Sequence, residues 1–315
     1  MAITFGEARS IPTGSERTRR AIITLRQLPL MPLLILSVLI FVAIFADVLA
    51  PHGELDPVKP TAAQCMALYG APGCPYLEGL PPFWSEGGSL ATPLGTDFLG
   101  RDILSRLMYG ARISLIVALM GTLVAGTIGT LLGVVAGYFG RWWDQIIMRV
   151  TDAWLTLPSL VFAILLLSVR GPGIWNVVLV LALVFWSRYS RAVRGEVLAL
   201  RERDFVKLAE INGISKTRII FRHLIPNVMN TVMVLFSLQV GVAVIIEASL
   251  SFLGVGVPPP EPSWGLMLAQ ERDAMMEGKW WLAVFPGICI SLLVLSANML
   301  GDWLRVRLDP QLRNR

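Results

Sequence analysis

A helix needs about 20 consecutive apolar residues to cross the hydrocarbon core of a bilayer. This chain repeats that pattern along its length. Apolar runs cover about 30–49, 113–137, 153–169 with Pro158 inside it, 174–190, 228–252 and 281–304. Backbone polar groups in lipid must find partners within their own segment, so such runs fold as helices. The sequence therefore predicts an all-α integral membrane protein with six transmembrane helices. Trp280, Trp281 and Trp303 bracket the last run, as interfacial aromatic residues do. Only 16% of the 315 residues are charged, against about 25% in soluble domains, and the mean hydropathy is +0.65.

The first run raises the alternative of a cleaved signal peptide, since Val48 and Ala50 suit a small-residue cleavage site. Pro51 directly after them, the length of the run and the long leader before it favour a retained anchor. Lys and Arg then orient the chain, because they accumulate in cytoplasmic segments. With the N-terminal tail in the cytoplasm, six crossings return the C-terminus to the same side. This arrangement puts 20 of the 27 Lys and Arg residues inside and 7 outside. The expected organisation is a cytoplasmic tail (1–29), a first anchor (30–50), an external loop (51–100), a core of five spans (101–305) with a cytoplasmic loop at 195–227, and a second tail (306–315). Arg101, Arg106 and Arg112 run against the charge trend on the external side, so their stretch needs a partner or a surface role. Asp97, Arg101 and Asp102 either brace it by offsetting their own charges or form a docking surface for an external protein.

Several function classes are excluded or weakened. The net charge of +5 follows from the membrane pattern, and no nucleic-acid-binding module accompanies it, so no nucleic-acid partner is expected. Two His and three Cys residues are too few for a metal or haem site of the usual composition, and no catalytic triad or paired-carboxylate arrangement stands out. Cys289 lies in an apolar run, where a small buried residue is expected. Cys65 and Cys74 lie in the external loop, where an oxidising compartment would let them pair; their spacing permits the bond without establishing it. The chain has no G-x-x-x-x-G-K-[ST] loop, and Gly213–Thr217, GISKT, lacks the turn that wraps phosphates. A gradient-driven transporter would want paired ionisable groups at mid-membrane, which the first, second, third and sixth runs lack.

One segment between the fourth and fifth runs is different in kind: LAEINGISKTRIIFRHLIPN, residues 208–227. Phe205, Leu208 and Ala209 fall at i, i+3 and i+4, which places them on one helical face. Asn212 and Gly213 read as a helix stop, because Gly takes the left-handed conformation at little cost. Ser215 is placed to cap a second helix, and Pro226 breaks that pattern or begins the next span. A helix, Gly turn and helix outside the membrane could be a solvated basic loop, or an amphipathic element that docks in a groove of another protein.

This segment resembles the EAA loop of ABC-importer permease subunits. Ala209 stands at the second alanine of that motif, Gly213 at its glycine, and His223, Leu224, Ile225 and Pro226 at its I-x-L-P. Lys207 occupies the glutamate position and Leu208 the first alanine, so the glutamate's role does not carry over, and Glu210 is the open substitute. Three longer stretches narrow the resemblance to the C-type permeases of peptide/nickel ABC importers: PLGTDFLGRDILSRLMYGARISL (93–115), EASLSFLGVGVPPPEPSWGLML (247–268) and NMLGDWLRVRLDPQLR (298–313).

The resemblance implies the ABC type I importer permease fold, located in a bacterial plasma (inner) membrane. It implies a second homologous permease, two cytoplasmic ATPase subunits that hold ATP-Mg, and an external solute-binding protein. This chain would itself bind no cofactor and would not be an enzyme. The solute would be a peptide, with nickel, glutathione or oligosaccharide as alternatives. The coupling helix would comprise Phe205, Lys207, Leu208, Ala209, Glu210, Gly213, Ile214, Arg218 and Pro226, with Phe205, Leu208 and Ala209 in an ATPase groove. Glu247 is an intramembrane carboxylate, costly and often functional; it either lines the solute path or makes a structural hydrogen bond near a helix end. Asp302 and Arg305, one turn apart, are expected to pair or snorkel. Gly121, Gly126, Gly129, Gly133 and Gly137 allow close helix contact, within the subunit or against a second permease.

Overall fold

The computed structural model describes residues 29–59, 65–66, 70 and 77–308. The described residues contain no strand, only isolated bridges such as Pro57 to Arg101 and Thr96 to Asp102. Helix α1 (Leu30–Ile44) is followed after Phe45 by the short α2 (Ala46–Leu49). An irregular segment then leads to α3 (Ile103–Phe139), α4 (Arg141–Thr156), α5 (Ser159–Arg170) and α6 (Ile174–Arg201). Helices α7 (Asp204–Ile211) and α8 (Lys216–Ile219) precede a π turn (Ile220–Leu224) that merges into α9 (Ile225–Phe252). The chain closes with α10 (Trp264–Gln270), a 3-10 turn (Arg272–Met275) and α11 (Trp281–Leu308).

Among the described residues, four continuous helices are long and apolar enough to cross a membrane: α3, α6, the run from Lys216 through Phe252, and α11. The pair α4 and α5 passes the same test only jointly, and α1 is a shorter apolar helix. The chain is thus a multi-pass membrane protein. The sequence expects one span over 153–169, but α4 and α5 meet at 94° across Leu157 and Pro158. The cause is local. Leu157 is extended, the conformation that a following proline favours, and Pro158 has no N–H to continue a helix. Pro226, by contrast, lies directly after the π turn, in the first turn of α9, and the helical run from Lys216 to Phe252 continues through it. The second and fourth runs also extend beyond their apolar cores, to Ile103 and Arg201 respectively.

The centre of the bundle is the pairing of α3 with α6. A Cβ at Gly121 would lie 2.8 Å from the Leu181 side chain, one at Gly133 2.7 Å from the Ser190 carbonyl oxygen, and one at Gly137 2.8 Å from Val197. The constant register shows that the two helices run parallel, and glycine lets their backbones touch. The glycine stripe therefore serves packing within the subunit. Phe185, Leu181, Val177 and Tyr189 fill the core between them, with Val244 and Leu250 of α9 and Leu293 of α11.

Candidate functional site

Helix α7, its turn and α8 protrude from one end of the bundle, and their apolar residues divide between two faces. Val206 and Ala209 are buried with Ile219, Leu224 and Val228, against Val134, Tyr138, Val193 and Val197 of α3 and α6. Phe205 and Leu208 stay 41% and 57% exposed. Ala209 thus belongs to the inward face rather than to the outward one that the sequence assigns it. The i, i+3, i+4 rule groups neighbours but does not say which half of the group meets the body. Val206 is the inward anchor that the spacing did not single out.

The turn closes as a Schellman cap. Ile214 N donates to Ala209 O at 3.1 Å and Gly213 N to Glu210 O at 3.0 Å, satisfying carbonyls at the helix end. Gly213 has φ 71°, a region that β-carbons disfavour. Ser215 precedes α8, but its side chain makes no capping hydrogen bond. Lys207 forms an exposed ion pair with Glu202 at 2.9 Å. Glu210 accepts a hydrogen bond of 3.1 Å from the Tyr138 hydroxyl at the end of α3. Ile214 and Glu210 line a cavity of about 360 Å³ with Tyr138, Arg201 and Lys216, whereas Arg218 is exposed. A larger cavity, about 1060 Å³, opens beside Phe205 and takes in Glu196, Arg203, Asn230 and Arg305. Arg305 lines that cavity and makes no ion pair with Asp302.

At the opposite end, Asp97, Arg101 and Asp102 are all buried within the chain. Such residues present no surface to a docking protein, so that expectation is corrected and the bracing alternative describes what they do. Asp97 Oδ2 accepts from Arg101 Nε at 2.6 Å and from Arg106 Nη1 at 2.7 Å. Arg106 Nη2 donates to Gln270 Oε1 at 2.7 Å, which ties α10 to α3. Asp102 caps α3, accepting from Ser105 N at 2.8 Å and Ser105 Oγ at 2.6 Å. Arg112 is held by Asp47 at 2.9 Å and by the Ala43 carbonyl at 3.0 Å. The three cations that defied the charge trend are therefore paired inside the chain, with Arg101 and Arg106 sharing Asp97. Burial pushes the nearby Glu271 carboxyl up to about 7, with the Asp97 charge adding to it and Arg106 and Arg101 opposing.

Glu247 is fully buried, where Ser114 Oγ donates to it at 3.2 Å and Ser251 Oγ at 2.9 Å. It joins α3 to α9 beside Trp264, whose indole donates to Leu107 O at 3.0 Å. In this conformation the carboxylate faces no open path. Cys65 is buried and disulfide-bonded; Cys74, its expected partner, lies outside the described residues. Cys289 is free.

Comparison with known proteins agrees with this architecture. Residues 129–314 match the family described as "Binding-protein-dependent transport system inner membrane component". The di/tripeptide transport system permease protein DppC of Pseudomonas aeruginosa is 39% identical, over 90% of this chain and 88% of its own length. The glutathione transport system permease protein GsiD of Pectobacterium atrosepticum is 42% identical over 73% of this chain and 76% of its own. The dipeptide transport system permease protein DppC of Alkalihalophilus pseudofirmus is 40% identical over 76% and 78%. With more than half its length matched and relatives this similar, the chain belongs to the binding-protein-dependent transport system inner membrane components, the permease subunits of ABC importers.

Proposed function

We propose that this chain forms half of the translocation pathway of an ATP-driven peptide importer and that α7 is its coupling helix. The observation that carries the coupling assignment is the split face of α7. Val206 and Ala209 fix the helix to α3 and α6, while Phe205 and Leu208 are left as outward knobs for a groove in another protein. The α7 end is then cytoplasmic and the Asp97 end external, in line with the Lys and Arg asymmetry. The broken α4–α5 pair counts as one span and α1–α2 as another, giving six with the four long helices. The domain boundaries are then a tail to residue 29, an anchor to 50, an external loop to 100 and a core to 305.

The energy would come from two ATPase subunits that hold ATP-Mg, since this chain carries no phosphate-binding loop. Their closure would push α7 and, through its inward face, move α3 and α6 against a second permease, in the manner of alternating access. An external binding protein would deliver the solute. Peptide is favoured by the names of the relatives, and glutathione, itself a tripeptide, belongs in the same screen.

The test is affinity purification of the tagged chain from native-level expression in mild detergent, followed by peptide uptake in proteoliposomes. Two ATPases and a second permease in the preparation, with ATP-dependent uptake of a small peptide, are the expected result. Recovery of the chain without any ATPase under several gentle conditions would remove the coupling assignment and reopen gradient-driven transport.

A further inference from the structure

Arg188 lies inside α6, partly buried, and makes no ion pair within 4 Å among the described residues. Its Nη1 donates to Gln239 Oε1 on α9 at 3.2 Å, and its Nη2 to Ser159 Oγ at the start of α5 at 3.1 Å. The Phe185 ring lies 5.3 Å from Cζ. All of these partners are neutral, and a guanidinium has five donors.

Helix geometry places the group well inside the bilayer. Ser159 is eleven residues from the end of α5 at Arg170, Gln239 thirteen from Phe252, and Arg188 fourteen from Ile174. At 1.5 Å per residue these are about 17–21 Å below the external helix ends, near the middle of a core of about 30 Å. An uncompensated Arg at that depth is costly and faces a cavity or a functional partner by default.

Among the described residues, the surroundings supply further donors and no anion in ion-pair reach. Gln239 is 6% exposed, and its Nε2 has no hydrogen-bond partner. Helix α5 begins in mid-membrane because Pro158 breaks the span, and no side chain caps its amino end. The N–H groups of its first turn therefore face this point with the positive end of the helix dipole. An apolar groove of about 400 Å³ has a lining that extends from Phe252 and Leu253, at the external end of α9, to Leu160, the residue after Ser159. Guanidinium, unpaired amide and half-helix amino end together call for an acceptor with negative charge, and a carboxylate matches the fork of an arginine.

We propose that Arg188, Gln239 and the amino end of α5 form a mid-membrane subsite for the carboxylate of the translocated solute. The inference rests on the peptide-importer reading, because every unmodified peptide carries a C-terminal carboxylate. Neutral partners leave the guanidinium free to take that group and to release it when the helices rock.

The experiment uses the whole importer with its binding protein in proteoliposomes, comparing uptake of trialanine and trialanine amide. The subsite predicts that Arg188→Gln lowers trialanine uptake by about tenfold or more, the scale of a lost charge-assisted hydrogen bond, while amide uptake changes little. Assembly and binding-protein-stimulated ATP hydrolysis stay intact. Arg188→Lys keeps the charge and returns part of the preference for the acid; should the Gln variant fail to assemble, the Lys variant carries the same comparison, with an acid-to-amide ratio below wild type. An unchanged ratio in the assembled variants makes Arg188 a strut between α5, α6 and α9 and overturns the subsite. Absence of trialanine uptake by the wild-type importer instead overturns the peptide reading, and the subsite with it.

Discussion

The Tyr138 hydroxyl donates a hydrogen bond of 3.1 Å to Glu210 Oε1, joining the last turn of α3 to the protruding α7. Lys207 stands where the family motif has its glutamate, and it faces solvent. Glu210, three residues on and on the inward side, supplies a carboxylate that reaches the bundle. If α7 transmits force, this bond is one of its attachments. Tyr138→Phe and Glu210→Gln should each lower transport per ATP hydrolysed, with normal amounts of assembled complex. The double variant should be no worse than either single one, because the bond can be lost only once. Additive losses in that cycle would show that the two residues act independently.

Gly213 has φ 71° and open space around the position of a β-carbon. A side chain there meets strain rather than collision. Gly213→Val should cost about 1–2 kcal/mol locally and impair ATP-coupled uptake without reducing membrane insertion. Gly213→Asn, which tolerates the left-handed region, should stay near wild type. Equal transport by the Val variant would sink the role of the turn.

Gly133 fails for a different reason. Its β-carbon would lie 2.7 Å from the Ser190 carbonyl oxygen and 2.9 Å from Val193. Gly133→Leu should force α3 off α6 and remove most of the folded protein, since even modest overpacking costs about 1–3 kcal/mol. Gly195→Ala, with nothing within 4 Å, is the control. Detergent-extracted yield by fluorescence size exclusion separates the two.

Asp97 anchors two buried guanidiniums. Asp97→Ala should destabilise by about 3–5 kcal/mol, the usual result of breaking a buried pair from one side. The loss should show as a lower melting temperature and as easier proteolysis of the segment leading into α3. A melting temperature within error of wild type would rule out the bracing role.

Glu271 carries a pH dependence of known sign. Burial raises its carboxyl to about 7 from an ordinary 4.5, helped by Asp97 and opposed by Arg106 and Arg101. The folded protein thus holds this proton more tightly than the unfolded chain does. The resulting stability is complete below about pH 4.5 and is lost as pH rises through 7. The purified importer should melt several degrees lower at pH 8 than at pH 6, and Glu271→Gln should flatten that difference. A slope unchanged by the substitution would assign it to other groups.

The amino-acid sequence by itself determined the features that solvent and chain stiffness impose. Long apolar runs had to become helices, Gly213 had to end one, and Pro226 stood where another could start. It also carried the family in the spacing of Ala209, Gly213 and Pro226 and in three longer stretches. Tertiary structure decided the features that depend on which surfaces meet. Whether Ala209 faced inward, whether Asp97 and Arg101 were surface or core, and that Pro158 turned a span by 94° rather than merely kinking it were set by the packing of α3, α6 and α9. Periodicity places residues on a common face but does not say what that face touches. Arg188 shows the same limit. In sequence it counts as one more positive charge beside a membrane boundary. Only the meeting of α5, α6 and α9 brings its guanidinium to Ser159 and Gln239, with no acid among the described residues to pair with it.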